Sequence, residues 1–143
     1  MQDIILKGVM GTMLLISAVQ DILKKKICLW VIAAGAALTL GCLILRRPVS
    51  LWDAFGGALV GVSVIVISKA SGDKIGMGDG LLLCVTGLGL GFWKNMELFA
   101  YALLAAAIVS IILLTFRLAD RKKSIPFVPF LMLGYLLLIV IYN

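Results

Sequence analysis

Two aspartates at the ends of apolar segments are the residues of this sequence best suited to chemistry. Asp79 lies in the pentapeptide 76–80, Gly-Met-Gly-Asp-Gly, and precedes the apolar segment 81–93. Asp21 directly follows an apolar segment that ends with Ser-Ala-Val-Gln. A carboxylate at a membrane boundary costs free energy unless it is solvated, paired or used in function. The question is therefore what these two carboxylates do together.

Two neighbouring carboxylates can hydrolyse a peptide bond. They cannot both ionise cheaply, so they share one proton. The ionised group then acts as a base on a water molecule, and the protonated group donates to the carbonyl oxygen of the peptide. Either residue can take either role, because the proton belongs to the pair. This hydrolysis needs no metal and no histidine, and the sequence contains no histidine.

The glycines around Asp79 fit this interpretation. Gly76, Gly78 and Gly80 permit close backbone approach, so we expect them to admit the backbone of a substrate. We also expect the loop 69–78 to move and to bring Asp79 toward Asp21. Plainer roles stay open for both aspartates. Asp79 is a favoured helix N-cap residue, although a cap does not explain glycines on both sides. Asp21 could pair with a neighbouring lysine at the membrane boundary.

The other acidic residues have structural explanations. Asp53 stands three residues after Ser50, which predicts a capping box at the start of a helix. Glu97 is expected in a tight turn at the start of the fifth helix, where the helix dipole favours a carboxylate. The remaining acids lie near the N-terminus or in polar and basic loops, and are Asp3, Asp73 and Asp120.

No metal or cofactor is expected. The three cysteines lie in or beside apolar segments without C-x-x-C spacing, which favours small buried side chains over a zinc site; they are Cys28, Cys42 and Cys84.

Composition indicates an integral membrane protein. The chain has 143 residues, of which 63% are hydrophobic, against about 45–50% in ordinary soluble domains. A bilayer core needs about 20 apolar residues per helix. We predict an all-α polytopic membrane protein, a single domain 1–143 with about six transmembrane helices. The expected segments are 4–19, 27–45, 51–68, 81–93, 98–116 and 125–142, the fourth extending from near Asp79 to about Met96.

Basic residues predict the topology. The net charge is +6, but the basic residues lie between apolar segments, so we expect no nucleic-acid partner. By the positive-inside rule, the side richer in Lys and Arg faces the cytoplasm. That side would hold Lys24, Lys25, Lys26, Lys69, Lys74, Arg117, Arg121, Lys122 and Lys123, and the other side Lys7, Arg46, Arg47 and Lys94. Both termini are then outside, and Asp21 and Asp79 share the cytoplasmic edge.

Two small-xxx-small patterns predict close helix packing. They are Gly57-x-x-x-Gly61 and Gly87-x-x-x-Gly91. Such patterns let helix backbones approach closely in membranes. They suit either a homodimer or packing within one chain, and we expect the intramolecular role.

The sequence resembles the type IV prepilin peptidases, which are GxGD-type membrane aspartyl proteases. Three features carry the resemblance: the Gly-Met-Gly-Asp of 76–79, Asp21 after the first predicted helix, and Ser-Ile-Pro-Phe-Val-Pro-Phe-Leu at 124–131. The resemblance covers nearly the whole chain. It implies that Asp21 and Asp79 are the catalytic pair. It also implies cleavage of the basic leader of prepilin-like precursors at the cytoplasmic edge of a prokaryotic cell membrane.

The sequence departs from this family in places. Members often read Gly-Asp-Val-Lys-Leu where this chain has Asp79-Gly80-Leu81-Leu82, and many read Ile-Pro-Asn where it has Ile27-Cys28-Leu29. It is similar to the short, peptidase-only members of tight-adherence pilus systems, so we predict no methylation. Two alternatives remain: a small transporter or channel subunit that uses a membrane-edge Asp, and an inactive pilus-assembly homologue.

Overall fold

A computed structural model describes residues 4–47, 49–72, 76–118 and 125–142. These ranges contain six α-helices and no β-strand, which confirms the predicted all-α class. The helices are α1 Ile4–Lys24, α2 Leu29–Arg46, α3 Leu51–Ala70, α4 Met77–Leu90, α5 Phe92–Thr115 and α6 Val128–Ile141. Three of the acids weighed above, Asp3, Asp73 and Asp120, lie outside the described residues.

Four helices are long and apolar enough to cross a membrane, namely α1, α2, α3 and α5. Their outward side chains are apolar; Trp52, for example, is 86% exposed and Leu45 is 85% exposed. Such a surface suits lipid rather than water. The prediction of six spanning helices is met only in part, because α4 and α6 have 14 residues each, or about 21 Å at 1.5 Å per residue.

Several predicted helix ends are wrong. Helix α1 continues past residue 19 to Lys24, so Asp21 is in its last turn and not in a loop. Helix α4 begins at Met77, two residues before Asp79, and ends at Leu90 rather than near Met96. The end of α1 and the starts of α4 and α6 lie together at one end of the bundle, where residues at or next to these helix ends line one cavity. We call this the aspartate end.

A single residue, Gly91, joins α4 to α5. Its φ of 83° lies in the left-handed region, which glycine occupies without steric cost. The predicted turn at 94–97 is consequently helical, and Glu97 lies in the second turn of α5. There its Oε1 accepts a hydrogen bond from the Tyr142 hydroxyl at 2.9 Å.

The predicted capping box at Ser50 is also absent. Ser50 precedes α3 but makes no side-chain cap hydrogen bond. Instead, Asp53 Oδ1 accepts the backbone N–H of Phe92 at 3.0 Å and so caps α5. The sequence pattern identified a capping carboxylate correctly but assigned it to its own helix, whereas the free N–H group that it satisfies lies 39 residues away.

Glycines set the distance between α3 and α4, which form the most closely packed helix pair. A Cβ atom at Gly57 would collide with the carbonyl of Gly87, and one at Gly61 would collide with the backbone nitrogen of Cys84. The predicted intramolecular role of these small-xxx-small patterns is confirmed. Homodimer formation stays a prediction.

Asn95 fastens the same region from α5. It is fully buried, and its Nδ2 donates to the carbonyl oxygens of Gly57 and Leu83, each at 3.0 Å. Its Oδ1 accepts a hydrogen bond from the Thr86 hydroxyl at 2.8 Å. One side chain thus links α3, α4 and α5, and its amide is satisfied without water.

Candidate active site

Asp79 is the buried carboxylate of the aspartate end. It lies in the first turn of α4, its N–H donates to the Gly76 carbonyl at 3.1 Å, and its side chain is 8% exposed. The N-cap position belongs to Gly76, so the N-cap role considered for Asp79 is wrong. The carboxylate of Asp79 is therefore not engaged in capping its own helix.

Each motif glycine has its own steric reason to lack a side chain. A Cβ at Gly76 would lie 2.8 Å from Asp79 Oδ2, so glycine keeps that oxygen uncovered. A Cβ at Gly78 would lie 2.6 Å from the end of the Ile27 side chain. At Gly80 it would press on Ile65 of α3. Gly76 thus keeps space at the carboxylate, whereas Gly78 and Gly80 let α4 sit close to its neighbours.

Asp21 is held by the start of α6. Its Oδ2 accepts the backbone N–H of Val128 at 3.2 Å, a contact between residues 107 apart in the chain. Val128 is the first residue of α6, whose N–H has no partner within its own helix. The predicted lysine pairing of Asp21 is replaced by this backbone contact, which joins the last turn of α1 to the first turn of α6 and leaves Asp21 half-buried.

The fold brings Asp21 and Asp79 together. Both line one cavity of about 460 Å³ at the aspartate end. We call this cavity the polar recess. The predicted movement of the loop 69–78 is not needed to bring them to one cavity, and residues 73–75 of that loop lie outside the described residues.

Two of the lysines that the sequence assigned to topology also line the polar recess. Lys25 and Lys26 follow α1, and the turn that carries them is closed by the N–H of Cys28, which donates to Gln20 Oε1 at 3.0 Å. Lys25 adopts a φ of 49° in this turn. In the sequence, only their proximity to Asp21 could have indicated this position. Proximity alone does not show whether a lysine lines a cavity or lies on the open surface.

The segment 125–127 closes the recess on the α6 side. Pro126 and Phe127 line it, and the Phe127 ring packs edge-on against Phe99 of α5, with centroids 6.4 Å apart. In the sequence, this Ile-Pro-Phe stretch was predicted to begin the sixth helix at residue 125 and also carried part of the family resemblance, but the helix begins at Val128. In the structure, this segment leads directly into α6, whose first residue, Val128, contacts Asp21.

A second cavity also reaches Asp79. It has a volume of about 400 Å³ and lies between α3 and α5, with mainly apolar side chains such as Val64, Ile67 and Leu103. Asp79 and Gly76 line this cavity as well. The carboxylate of Asp79 therefore stands at the boundary between the polar recess and an apolar cavity.

The described residues contain no group of three or more His, Cys, Asp or Glu side chains that could hold a metal ion. The site combines two carboxylates and two lysines in one cavity with an adjoining, mainly apolar cavity. Comparison with protein-family models, with curated proteins and with solved structures finds no match to this chain. The chemistry of the site is consequently inferred from its own geometry.

Proposed function

We propose that this protein is a membrane aspartyl endopeptidase that uses Asp21 and Asp79 to activate water. The observation that carries the proposal is the shared recess, because two carboxylates that are 58 positions apart in sequence line one cavity. A close pair of carboxylates supplies both a base and an acid from the same two side chains.

The proposed reaction needs one water molecule and the pair. The ionised carboxylate takes a proton from the water as its oxygen attacks the scissile carbonyl carbon, and the protonated carboxylate donates to the carbonyl oxygen. The C–N bond then breaks as the amide nitrogen receives the proton that was taken from water, while a hydroxyl of the tetrahedral intermediate returns a proton to the other carboxylate. Oδ2 of Asp21 accepts the Val128 N–H, which holds this carboxylate in position.

The substrate class comes from the resemblance to type IV prepilin peptidases. Such a substrate has a short basic leader followed by an apolar helix, and the cleaved bond lies between them. The recess, open at the helix ends and adjoining an apolar cavity, suits a bond at such a junction. We place the aspartate end at the cytoplasmic face of a prokaryotic cell membrane, in keeping with the basic residues of its loops.

The transporter alternative finds less support. It predicts charges that face each other in the middle of the bundle. Among the described residues other than Asp79, the buried polar side chains are uncharged: Ser17, Thr39, Ser68, Thr86 and Asn95. The carboxylates lie instead in the last turn of α1 and the first turn of α4.

Co-expression with a prepilin-like precursor tests the proposal. We expect the wild-type protein to shorten the precursor at the end of its basic leader, and Asp21→Asn and Asp79→Asn each to abolish the shortening. Asn preserves the shape and removes the acid–base chemistry. Asp53→Asn is the matched control, because Asn can still accept the Phe92 N–H and the residue lies near the other end of the bundle.

Each outcome is decisive when all variants reach the membrane in equal amounts. Cleavage that persists in either recess variant removes that aspartate from the reaction. Loss of cleavage in Asp53→Asn would show that the assay reports on folding. A wild-type protein that cleaves no precursor favours the transporter or the inactive homologue.

A further inference from the structure

An apolar groove runs along the bundle between α3 and α5. Two cavities form it, of about 400 Å³ and about 320 Å³, and they share Ser63 and Phe99. The first cavity reaches Asp79, and the second continues toward Met96 at the start of α5. We call the two together the α3–α5 groove. On α3 it extends from Leu59 to Ile67, eight residues or about 12 Å along the helix axis.

The groove offers an apolar surface to its occupant. Away from Asp79, the hydroxyl of Ser63 is the single polar side-chain group among its described lining residues, and it donates to the Val60 carbonyl at 2.7 Å. The other lining side chains there are aliphatic, aromatic or Met. An occupant therefore gains packing contacts but no hydrogen bonds, which excludes a polar peptide segment and suits an apolar helix laid lengthwise.

The groove is continuous with the carboxylate pair. Four described residues line both the groove and the polar recess, namely Gly76, Asp79, Ile125 and Phe127, whereas Asp21, Lys25 and Lys26 line only the recess. A chain that passes from the recess into the groove must change from polar to apolar at Asp79. The peptide bond at this polar–apolar junction of the substrate would then lie beside Asp21 and Asp79.

We propose that the apolar helix of the substrate docks in the α3–α5 groove, so that the polar–apolar junction of the precursor comes to rest at Asp79. This inference rests on the proposed peptidase function and assigns a substrate-binding surface to it. The helix enters sideways from the bilayer between α3 and α5. The start of the apolar helix then helps to set the cleavage position.

Photocrosslinking tests the docking site directly. A photoreactive phenylalanine analogue replaces Leu103 or Leu59 in the groove, and, in matched controls, Leu104 or Val62 on the same two helices. All four side chains are similarly exposed, at 47%, 49%, 60% and 44% in that order, but the control residues do not line the groove. The Asp21→Asn background keeps the precursor intact during irradiation.

We expect adducts with the precursor when the analogue replaces Leu103 or Leu59, and no such adducts when it replaces Leu104 or Val62. Equal adducts from all four positions, or adducts with phospholipid alone, would overturn the docking site. This readout does not need cleavage, so it can fail while the peptidase reaction stands.

A kinetic comparison of two substrates provides the second measurement. Ser63→Phe fills the groove beside Phe99, and Ser63→Ala is the matched control. We expect Ser63→Phe to raise KM for the full precursor about tenfold, the loss expected for one large apolar contact. The KM of a soluble peptide that holds only the leader and the cleavage site should stay unchanged. An equal rise for both substrates, or for neither, contradicts groove binding, whereas absence of cleavage by the wild type contradicts the peptidase itself.

Discussion

The two aspartates belong to two halves of the bundle that are held together in different ways. In the α3–α4 half, which carries Asp79, backbone meets backbone at Gly57 and Gly87, and Asn95 ties the helices through three hydrogen bonds. In the α1–α6 half, which carries Asp21, large side chains such as Tyr135 fill the contact. There two hydrogen bonds join the helices, one near each end.

Those two bonds are the Tyr135 hydroxyl to the Lys7 carbonyl, at 2.9 Å, and the Val128 N–H to Asp21, at 3.2 Å. Direct contact between the two halves through α1 and α4 is sparse. The helix that carries Asp79 therefore packs through backbone contacts that leave no space for a larger residue. The helix that carries Asp21 packs through side chains, which can change rotamer to accommodate a substitution. Substitutions in the first half should therefore be the more damaging.

The largest effect is expected at the glycine contact. Gly87→Ala places a Cβ where the Gly57 backbone already lies, so α3 and α4 must separate, with a loss of about 3 kcal/mol or more in the free energy of unfolding. Denaturant titration in detergent micelles measures this. Gly41→Ala is the control, because a Cβ there meets no atom within 4 Å. It should gain up to about 1 kcal/mol from helix propensity. Equal effects at the two glycines would contradict the close approach.

Removing hydrogen bonds from the two halves should change the free energy of unfolding by different amounts, although the difference is smaller than that between the two glycine variants. Asn95→Leu removes three bonds between helices and should lower the free energy of unfolding by about 2 kcal/mol, at roughly 0.6 kcal/mol per bond. Tyr135→Phe removes one bond and keeps the ring, so a loss of about 0.6 kcal/mol is expected. A larger loss at Tyr135 would reverse the ranking of the two halves.

The smallest difference between two variants is expected at the cap between α3 and α5. Asp53→Ala removes the acceptor of the Phe92 N–H and should lower the free energy of unfolding by about 1 kcal/mol. Ser50→Ala should change it by less than about 0.5 kcal/mol, since the Ser50 side chain makes no cap hydrogen bond. If Ser50→Ala proved the more destabilising, the capping box expected from the sequence would be restored.

Local sequence patterns were sufficient to predict the six helices and to identify the glycine-rich motif around Asp79. Apolar segments predicted six helices because burial in lipid depends on composition within about 20 residues. Helix ends were less predictable. The cap of α5 comes from Asp53, 39 residues before Phe92, and no local pattern reports such a distant partner. The buried role of Asn95 escaped sequence analysis for the same reason.

The sequence by itself determined that this is an all-helical, apolar chain with a carboxylate among glycines at one helix start and another at a helix end. Only the tertiary structure decided that the two carboxylates share a recess, that Asp21 also holds the start of α6, and that Asp79 borders an apolar groove. The physical reason is separation along the chain. Hydrophobicity and helix signals act over a few turns, whereas a site assembled from residues 21, 79 and 128 exists only once helix packing has fixed their distances.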